Sequence, residues 1–395
     1  MTKDRLACWG ANAYAQLGLG HTTNVADVPG TATLAHATVP GITVQVLSSP
    51  DFLAARSFLC LGTSGSLRCW GKAGVQQLGA VPVVGGWLSV GSQVSWHCAS
   101  VGAHHSCGVT TSAESFCWGS NSFGQLGVED VVDRSATSSS VVALGAAVSQ
   151  VTVGLQHTCA LLLRDASVRC FGYNGGGELG LGHRDHRGGQ PGDVASVPAV
   201  DFGASGFVSQ IAAGDCHTCA LVAVDEEDPK DVKCWGCGGF GQLGVGTLDG
   251  VGGEAGDMGS SLTAASAGMD AAVSVLSVGS YSCYVSVAGD LFCWGTSAWF
   301  GGPVVRPQRV PLSFRVRKVS CGAGHCCALD SERAVRCWGD GTRNQLGVGL
   351  ESRSPGEAEV VPRLIGVVVD DVVVGDFFSC ANSFKGLDCW GKAPR

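Results

Sequence analysis

Short apolar runs broken by turn residues recur along this chain, and residues 151–182, VTVGLQHTCALLLRDASVRCFGYNGGGELGLG, display the pattern in a single unit. The runs at 151–153, 158–163 and 167–171 are separated by polar and glycine-rich turns, which predicts three β-strands and a following loop. A fourth strand is expected in segments such as 197–200 or 359–362. No stretch sustains the spacing of an amphipathic helix.

The unit is repeated. GAHHSCGVTTSAESFCWGSNSFGQLG at 102–127 and GAGHCCALDSERAVRCWGDGTRNQLG at 322–347 follow the same plan. A Cys-Trp/Phe-Gly step recurs eight times, beginning at Cys8, Cys69, Cys117, Cys170, Cys234, Cys293, Cys337 and Cys389, and it takes seven of the ten tryptophans. Every copy except the first is preceded by a segment in which His or an aromatic residue stands two places before a cysteine, at Cys60, Cys107, Cys159, Cys219, Cys283, Cys327 and Cys380. A period of roughly 45 to 65 residues marks an array of supersecondary units, none of which buries its apolar surface alone.

Four-stranded units repeated about seven times describe an all-β, seven-bladed β-propeller of antiparallel blades, whose radial closure leaves few exposed sheet edges. Blades pack on both faces, so successive positions of a strand serve opposite sides, which accounts for Cys and Trp standing next to each other. Residues 1–395 are read as one propeller domain, with repeat hairpins ending near 71, 119, 172, 236, 295, 339 and 391. CWGANAYAQLG at the start lacks a preceding hairpin arm, and CANSFKGLDCWGKAPR at the end lacks a following loop. The segment 6–18 is therefore expected to complete the last blade, with an eighth, partial blade as the alternative.

These motifs resemble the regulator of chromosome condensation repeat family, whose signature joins a glycine, a His-Thr-x-x-Leu strand, a Trp/Phe-Gly strand end and an Asn-x-x-Gly-Gln-Leu-Gly loop. One copy carries it at Gly154, His157, Thr158, Leu161, Phe171, Gly172, Asn174, Leu179 and Gly180, and another at Trp118, Gly119, Asn121, Gly124, Gln125, Leu126 and Gly127. The resemblance spans nearly the whole chain and implies a seven-bladed propeller. Two copies depart from it: after Trp294 the loop reads TSAWFGG, and after Trp70 it reads KAGVQQLG.

The cysteines follow the hairpins. Separations of nine, at Cys60/Cys69 and Cys380/Cys389, place the partners opposite each other across a two-residue turn. Separations of ten, at Cys107/Cys117, Cys283/Cys293 and Cys327/Cys337, do the same across a three-residue turn, while Cys159/Cys170 and Cys219/Cys234 are longer variants. Directly opposed residues stand about 4.5 to 5.5 Å apart at Cα, within disulfide reach. Seven cross-strand disulfides are expected, which points to an oxidising or extracytoplasmic compartment. The start MTKDRLACWG carries no apolar signal core, so a cytoplasmic protein with reduced thiols is the alternative. Cys216, Cys219, Cys234 and Cys237 form a C-x2-C-x14-C-x2-C pattern that on spacing alone reads as a four-thiolate zinc site. A second disulfide, Cys216–Cys237, is the competing reading, and Cys321/Cys326 offers a weaker pair of the same kind. Apart from the zinc alternative, no cofactor is expected.

Composition narrows the function. Charged residues are 15% of the chain, the net charge is −8, and no basic cluster of five appears, which removes the electrostatic footprint of a nucleic-acid binder. No run of about 18 apolar residues exists to insert into a membrane. His105, His157, His217 and His325 share their place with Phe58, Tyr281 and Phe378, which favours packing over catalysis. No Ser/His/Asp set emerges. Asp225, Glu226, Glu227 and Asp228 are expected to form an acidic hairpin tip and candidate interaction loop. Loops departing from the repeat, at 128–148, 183–206 and 247–272, are where a partner would bind, and the Gly/Ala/Ser-rich last one is expected to be mobile. The function expected is a non-catalytic scaffold for a protein partner, itself able to serve as a subunit of a larger assembly. A guanine-nucleotide exchange factor for a small GTPase, implied by the resemblance, is the alternative.

Overall fold

The alternating apolar pattern is realised as a series of antiparallel meanders. The computed structural model describes residues 96–391 apart from 136, 137, 205, 228, 298–301, 323, 376, 377, 384 and 385, together with five earlier strands. The described strands fall into seven sheets. Sheet I holds Phe58–Thr63, Ser66–Gly71 and Leu88–Val90. Sheet II holds Trp96–Val101, His105–Thr110, Ser115–Gly119 and Ser140–Val141. Sheet III holds Val148–Val153, His157–Leu162 and Val168–Gly172, and sheet IV holds Phe207–Ala213, His217–Ala223 and Asp231–Gly236. Sheet V holds Ala272–Val278, Tyr281–Ser286, Leu291–Gly295 and Val304–Arg309. Sheet VI holds Val316–Cys321, His325–Asp330, Val335–Gly339 and Glu359–Val360. Sheet VII holds Val369–Val374, Phe378–Ser383 and Gly386–Gly391, extended by Arg5–Ala7 and His36–Thr38.

A fourth antiparallel strand is therefore present in sheets II, V and VI but not in III and IV. At 359–362 the expected strand forms over Glu359–Val360. At 197–200 it does not, and only the Val200 amide donates across, to the Val168 carbonyl at 2.8 Å. The segments after sheets III and IV are long enough to satisfy their backbones internally, and they touch their sheets through isolated bridges, Gly172↔Arg187 and Gly236↔Val251. Arg5–Ala7 lies parallel beside Gly386–Gly391 through the pair Ala7↔Asp388, whereas the fourth strands of II, V and VI run antiparallel. The rest of segment 6–18 lies outside the described residues.

Each first strand of sheets II to VII contains an irregularity that sequence patterning did not announce. The register to the middle strand shifts once, at Trp96/Cys98, Val148/Gln150, Val208/Gln210, Ala272/Ser274, Val316/Lys318 and Val369/Asp371. Such a bulge leaves one residue outside the ladder and bends the strand. The skipped residues, His97, Ser149, Ser209, Val273, Arg317 and Asp370, all face out or lie half-buried beside buried neighbours.

Sheets are joined face to face by a recurring polar relay. The Nε2–H of His105 in sheet II donates to Thr158 Oγ1 in sheet III at 2.7 Å, and the Thr158 hydroxyl donates to the Gln125 carbonyl at 2.8 Å. His217, Ser282 and the Gln242 carbonyl repeat it between IV and V, and His325, Ser379 and the Gln345 carbonyl between VI and VII. His157 reaches Thr218 at 2.9 Å between III and IV. Tryptophan also aims at this place: Trp294 Nε1 donates to the Gln242 carbonyl at 2.7 Å, and Trp235 Nε1 to the Glu178 carbonyl at 2.9 Å. The alternation of the middle strand explains the His-Thr-Cys order, because His157 and Cys159 face sheet IV while Thr158 faces back toward sheet II. Glycine makes room for the ring: a Cβ on Gly154 would lie 2.5 Å from His157 Nδ1.

The relay fixes the protonation state. Where the hydroxyl donates to a carbonyl it accepts from Nε2–H, and Nδ1 of His105, His217 and His325 has no partner, so a second proton would be buried with nothing to receive it. Burial lowers the pKa of His105, His217 and His325 to about 3 and that of His157 to about 4. In the unfolded chain these groups take up protons near pH 6.5. Their contribution is thus fully present above pH 6.5 and is lost as pH falls below it, by about 1.4 kcal/mol per pH unit for each histidine. Thermal denaturation should show a steep loss of stability between pH 7 and pH 5. His157→Phe, which places there the residue found at positions 58 and 378, should flatten that slope by about one proton's worth; an unchanged slope would contradict the assignment.

Candidate functional site

The sequence-derived candidates separate into two places, the hairpin interiors and the hairpin tip of sheet IV. Inside the hairpins, all seven cysteine pairs are directly opposed in register: Cys60↔Cys69, Cys107↔Cys117, Cys159↔Cys170, Cys219↔Cys234, Cys283↔Cys293, Cys327↔Cys337 and Cys380↔Cys389. The side chains of Cys60, Cys69 and Cys389 lie outside the described residues. Five of the others form disulfides, Cys107–Cys117, Cys159–Cys170, Cys219–Cys234, Cys283–Cys293 and Cys327–Cys337. Their Cα separations of 4.0 to 4.1 Å are shorter than the opposed-pair range expected from sequence, as befits the closer, non-hydrogen-bonded rungs of an antiparallel ladder.

The four cysteines with zinc-like spacing come together as two disulfides, Cys219–Cys234 within the hairpin and Cys216–Cys237 just beyond both strand ends. Among the described residues no group of three or more His, Cys, Asp or Glu side chains is arranged to hold an ion. Cys321–Cys326 also pairs, across the first hairpin of sheet VI.

Sequence reading missed the neighbour of Cys216–Cys237. Glu178 stands where three other repeats carry Gln125, Gln242 and Gln345. Like them it accepts a backbone N–H from two residues earlier, here Gly176 to Oε2 at 2.8 Å. Its other oxygen lies 3.7 Å from Cys237 Sγ, and burial holds its pKa above the usual carboxylate value. The signal was the change of GQLG to GELG. The described hairpin cysteines are sealed from solvent, whereas Cys216 and Cys237 are half-buried.

At the tip of sheet IV, Asp225, Glu226 and Glu227 are exposed, as expected, while Asp228 lies outside the described residues. Lys230 Nζ folds back to donate to the Glu226 carbonyl at 3.2 Å. Glu227, Pro229 and Lys230 form one wall of a cleft of ≈ 770 Å³ whose other wall is the start of sheet V, including Ala271, Val273 and Val287. Loop 247–272, expected to be mobile, is instead built into the fold. Gly252 accepts from the Gly182 amide at 2.9 Å, Asp257 accepts from the Gly252 and Glu254 amides, Arg184 pairs with Glu254, and Leu262 and Ala265 are buried. Its small residues pack closely instead of leaving the chain loose.

Non-reducing peptide mapping should recover Cys107 with Cys117, Cys159 with Cys170 and Cys216 with Cys237, as in a protein matured in an oxidising compartment. Under graded reduction of the native protein, Cys216 and Cys237 should be alkylated well before the sealed hairpin pairs, because exchange requires access to a sulfur. Quantitative alkylation of every thiol without reductant would overturn the pairing.

A family profile described as regulator of chromosome condensation (RCC1) repeat matches residues 97–125 and 316–345, and a second of the same description matches 114–161. The probable E3 ubiquitin-protein ligase HERC4 of Mus musculus is 30% identical over 192 residues, 46% of this chain, and that match spans only 17% of the ligase's length. The ultraviolet-B receptor UVR8 of Arabidopsis thaliana is 25% identical over 354 residues, 86% of this chain and 62% of the receptor. Among solved structures, Prp20p of Saccharomyces cerevisiae superposes with a TM-score of 0.67 at 16% identity, covering 99% of this chain and 92% of that one. Residues 97–161 and 316–345 are thus matched as regulator of chromosome condensation repeats, and the His-Ser/Thr relay, the buried tryptophans and the Gly-Gln-Leu-Gly loops extend the same plan from sheet to sheet.

Proposed function

We propose that this protein is a non-catalytic protein-binding ring: a seven-bladed propeller, closed by its N-terminal segment beside the last hairpin, that recruits a protein partner through its variable segments. The observation behind the reading is how completely the repeat uses its reactive groups for its own architecture. The four relay histidines are buried, held neutral and committed to neighbouring hydroxyls. The described hairpin cysteines are sealed as disulfides. General acid–base or nucleophilic chemistry needs such groups at a surface that substrate can reach. Variation from repeat to repeat falls in the loops and hairpin tips, where a rigid scaffold places recognition.

The fold supports a protein partner. Yeast Prp20p is described as binding Gsp1p and histones, and its complex with Kap60 is a solved structure. At 16% and 17% identity these likenesses carry the fold alone, so the identity of this chain's partner rests on its own surface.

Closure is testable by truncation. Removing residues 1–18 takes away the strand paired at Ala7↔Asp388 and leaves the edge of Gly386–Gly391 open, so the melting temperature should fall by several degrees and aggregation should rise. A truncated chain that melts like the full one would refute closure. The binding reading is tested by affinity capture from the source cell paired with a nucleotide-release assay on small GTPases. Capture of a stoichiometric protein partner without accelerated release is expected. Sub-stoichiometric acceleration of release would replace this reading with the exchange-factor alternative.

A further inference from the structure

Resting on that reading, we propose that the cleft between the hairpin tips of sheets IV and V is the docking surface, and that its occupant is a protein segment carrying apolar side chains flanked by Lys or Arg. The first observation is where this chain spends apolar residues in solvent. Each of the six bulges of the first strands leaves one residue outside the ladder, and five of the six are polar or charged: His97, Ser149, Ser209, Arg317 and Asp370. The sixth is Val273, 53% exposed on the wall of the cleft. A second position behaves likewise, the residue just past the middle strand. It is Thr111 in sheet II and Ser331 in sheet VI, but Leu163, Val224 and Val287 in the three consecutive sheets III, IV and V, each at least 59% exposed. Polar residues at the same places in neighbouring repeats show that the architecture does not require apolar ones there. Sheet VII also carries an apolar residue at this place, Phe384, outside the described residues; Val273 and Val287 are the two that share one cleft, and such a pair set side by side in solvent is the mark of a surface that is covered in use.

The second observation is the charge beside it. Residues 225–231, DEEDPKD, hold five acidic residues and one lysine, a net charge of −4, and exposed Asp270 adds to it from the opposite side of the cleft. None of the described ion pairs engages Glu226 or Glu227, and the one lysine is turned onto the Glu226 carbonyl. This rim repels phosphate backbones and anionic membranes, and it opposes a second copy of this acidic chain. It attracts a basic segment. Leu221 and Ala272 form a buried apolar floor, so side chains entering between Pro229 and Val287 exchange water for carbon.

The test uses the full chain and a short fluorescent peptide of leucine and lysine, with leucine–glutamate and serine–lysine peptides as controls. Val273→Ser and Val287→Ser place at these sites residue types that other sheets already carry, so melting should be unchanged. Together they should weaken binding of the leucine–lysine peptide by at least about tenfold at every salt concentration. Glu226→Lys/Glu227→Lys should weaken it mainly at low salt. Equal binding by wild type and the double-serine variant, or equal binding of the leucine–glutamate peptide, overturns the proposal. The same variant then goes into affinity capture. A partner held equally by both proteins rules out this surface while sparing the scaffold reading, whereas wild type that captures no partner removes both.

Discussion

One buried carbonyl at the junctions of sheets II–III, IV–V and VI–VII organises the structure around it. The backbone oxygen of Gln125, Gln242 or Gln345 ends a tight glycine loop with no strand to pair with, in a place closed to water. Such an oxygen is costly unless it accepts a hydrogen bond. A Ser or Thr of the next sheet supplies that bond, His of the preceding sheet supplies the proton that orients the hydroxyl, and Trp can add a second donor. Each motif of the repeat then has its reason: glycine for the ring, His and Thr for the relay, Trp-Gly to bring the indole to the junction and turn the chain away. At Gly339 the backbone turns at φ +108, where a Cβ would lie 2.5 Å from the Gly324 carbonyl.

At the junction between sheets V and VI all three relay partners are replaced. The loop after Trp294 has lost Gln-Leu-Gly, and both other partners have changed with it. Tyr281 stands in place of His and reaches the Gly322 carbonyl at 2.8 Å, while Cys326 stands in place of Ser/Thr and bonds to Cys321. The junction between sheets I and II is half-replaced instead: Phe58 stands in place of His, and the buried Ser106 hydroxyl has no partner among the described residues.

Features set by strand alternation were legible in the sequence. The hairpin register, the opposed cysteines and the two-faced Cys-Trp step all follow from a period of two residues, read at Cys107/Cys117 as easily as at Cys327/Cys337. Features set by tertiary neighbours were not. The composition of 247–272 looks like a linker, yet Gly252 and Gly259 serve close approach to the loop after sheet III and to Asp201. Cys216–Cys237 lies past the strand ends, where alternation no longer says which way a side chain faces. The bulges were silent because the six skipped positions share no residue type, holding His97, Ser149, Ser209, Val273, Arg317 and Asp370.

That indifference of the bulge has an evolutionary side. Of the six skipped residues, Ser149 bonds to the Leu161 carbonyl and Asp370 pairs with Arg333, whereas positions 97, 209, 273 and 317 stand outside both the ladder and the relay, so replacing one of these four leaves strand pairing untouched. The repeat thus carries a few editable letters on a fixed page: sequence can drift at these places one substitution at a time while the strand pairing around them stays the same.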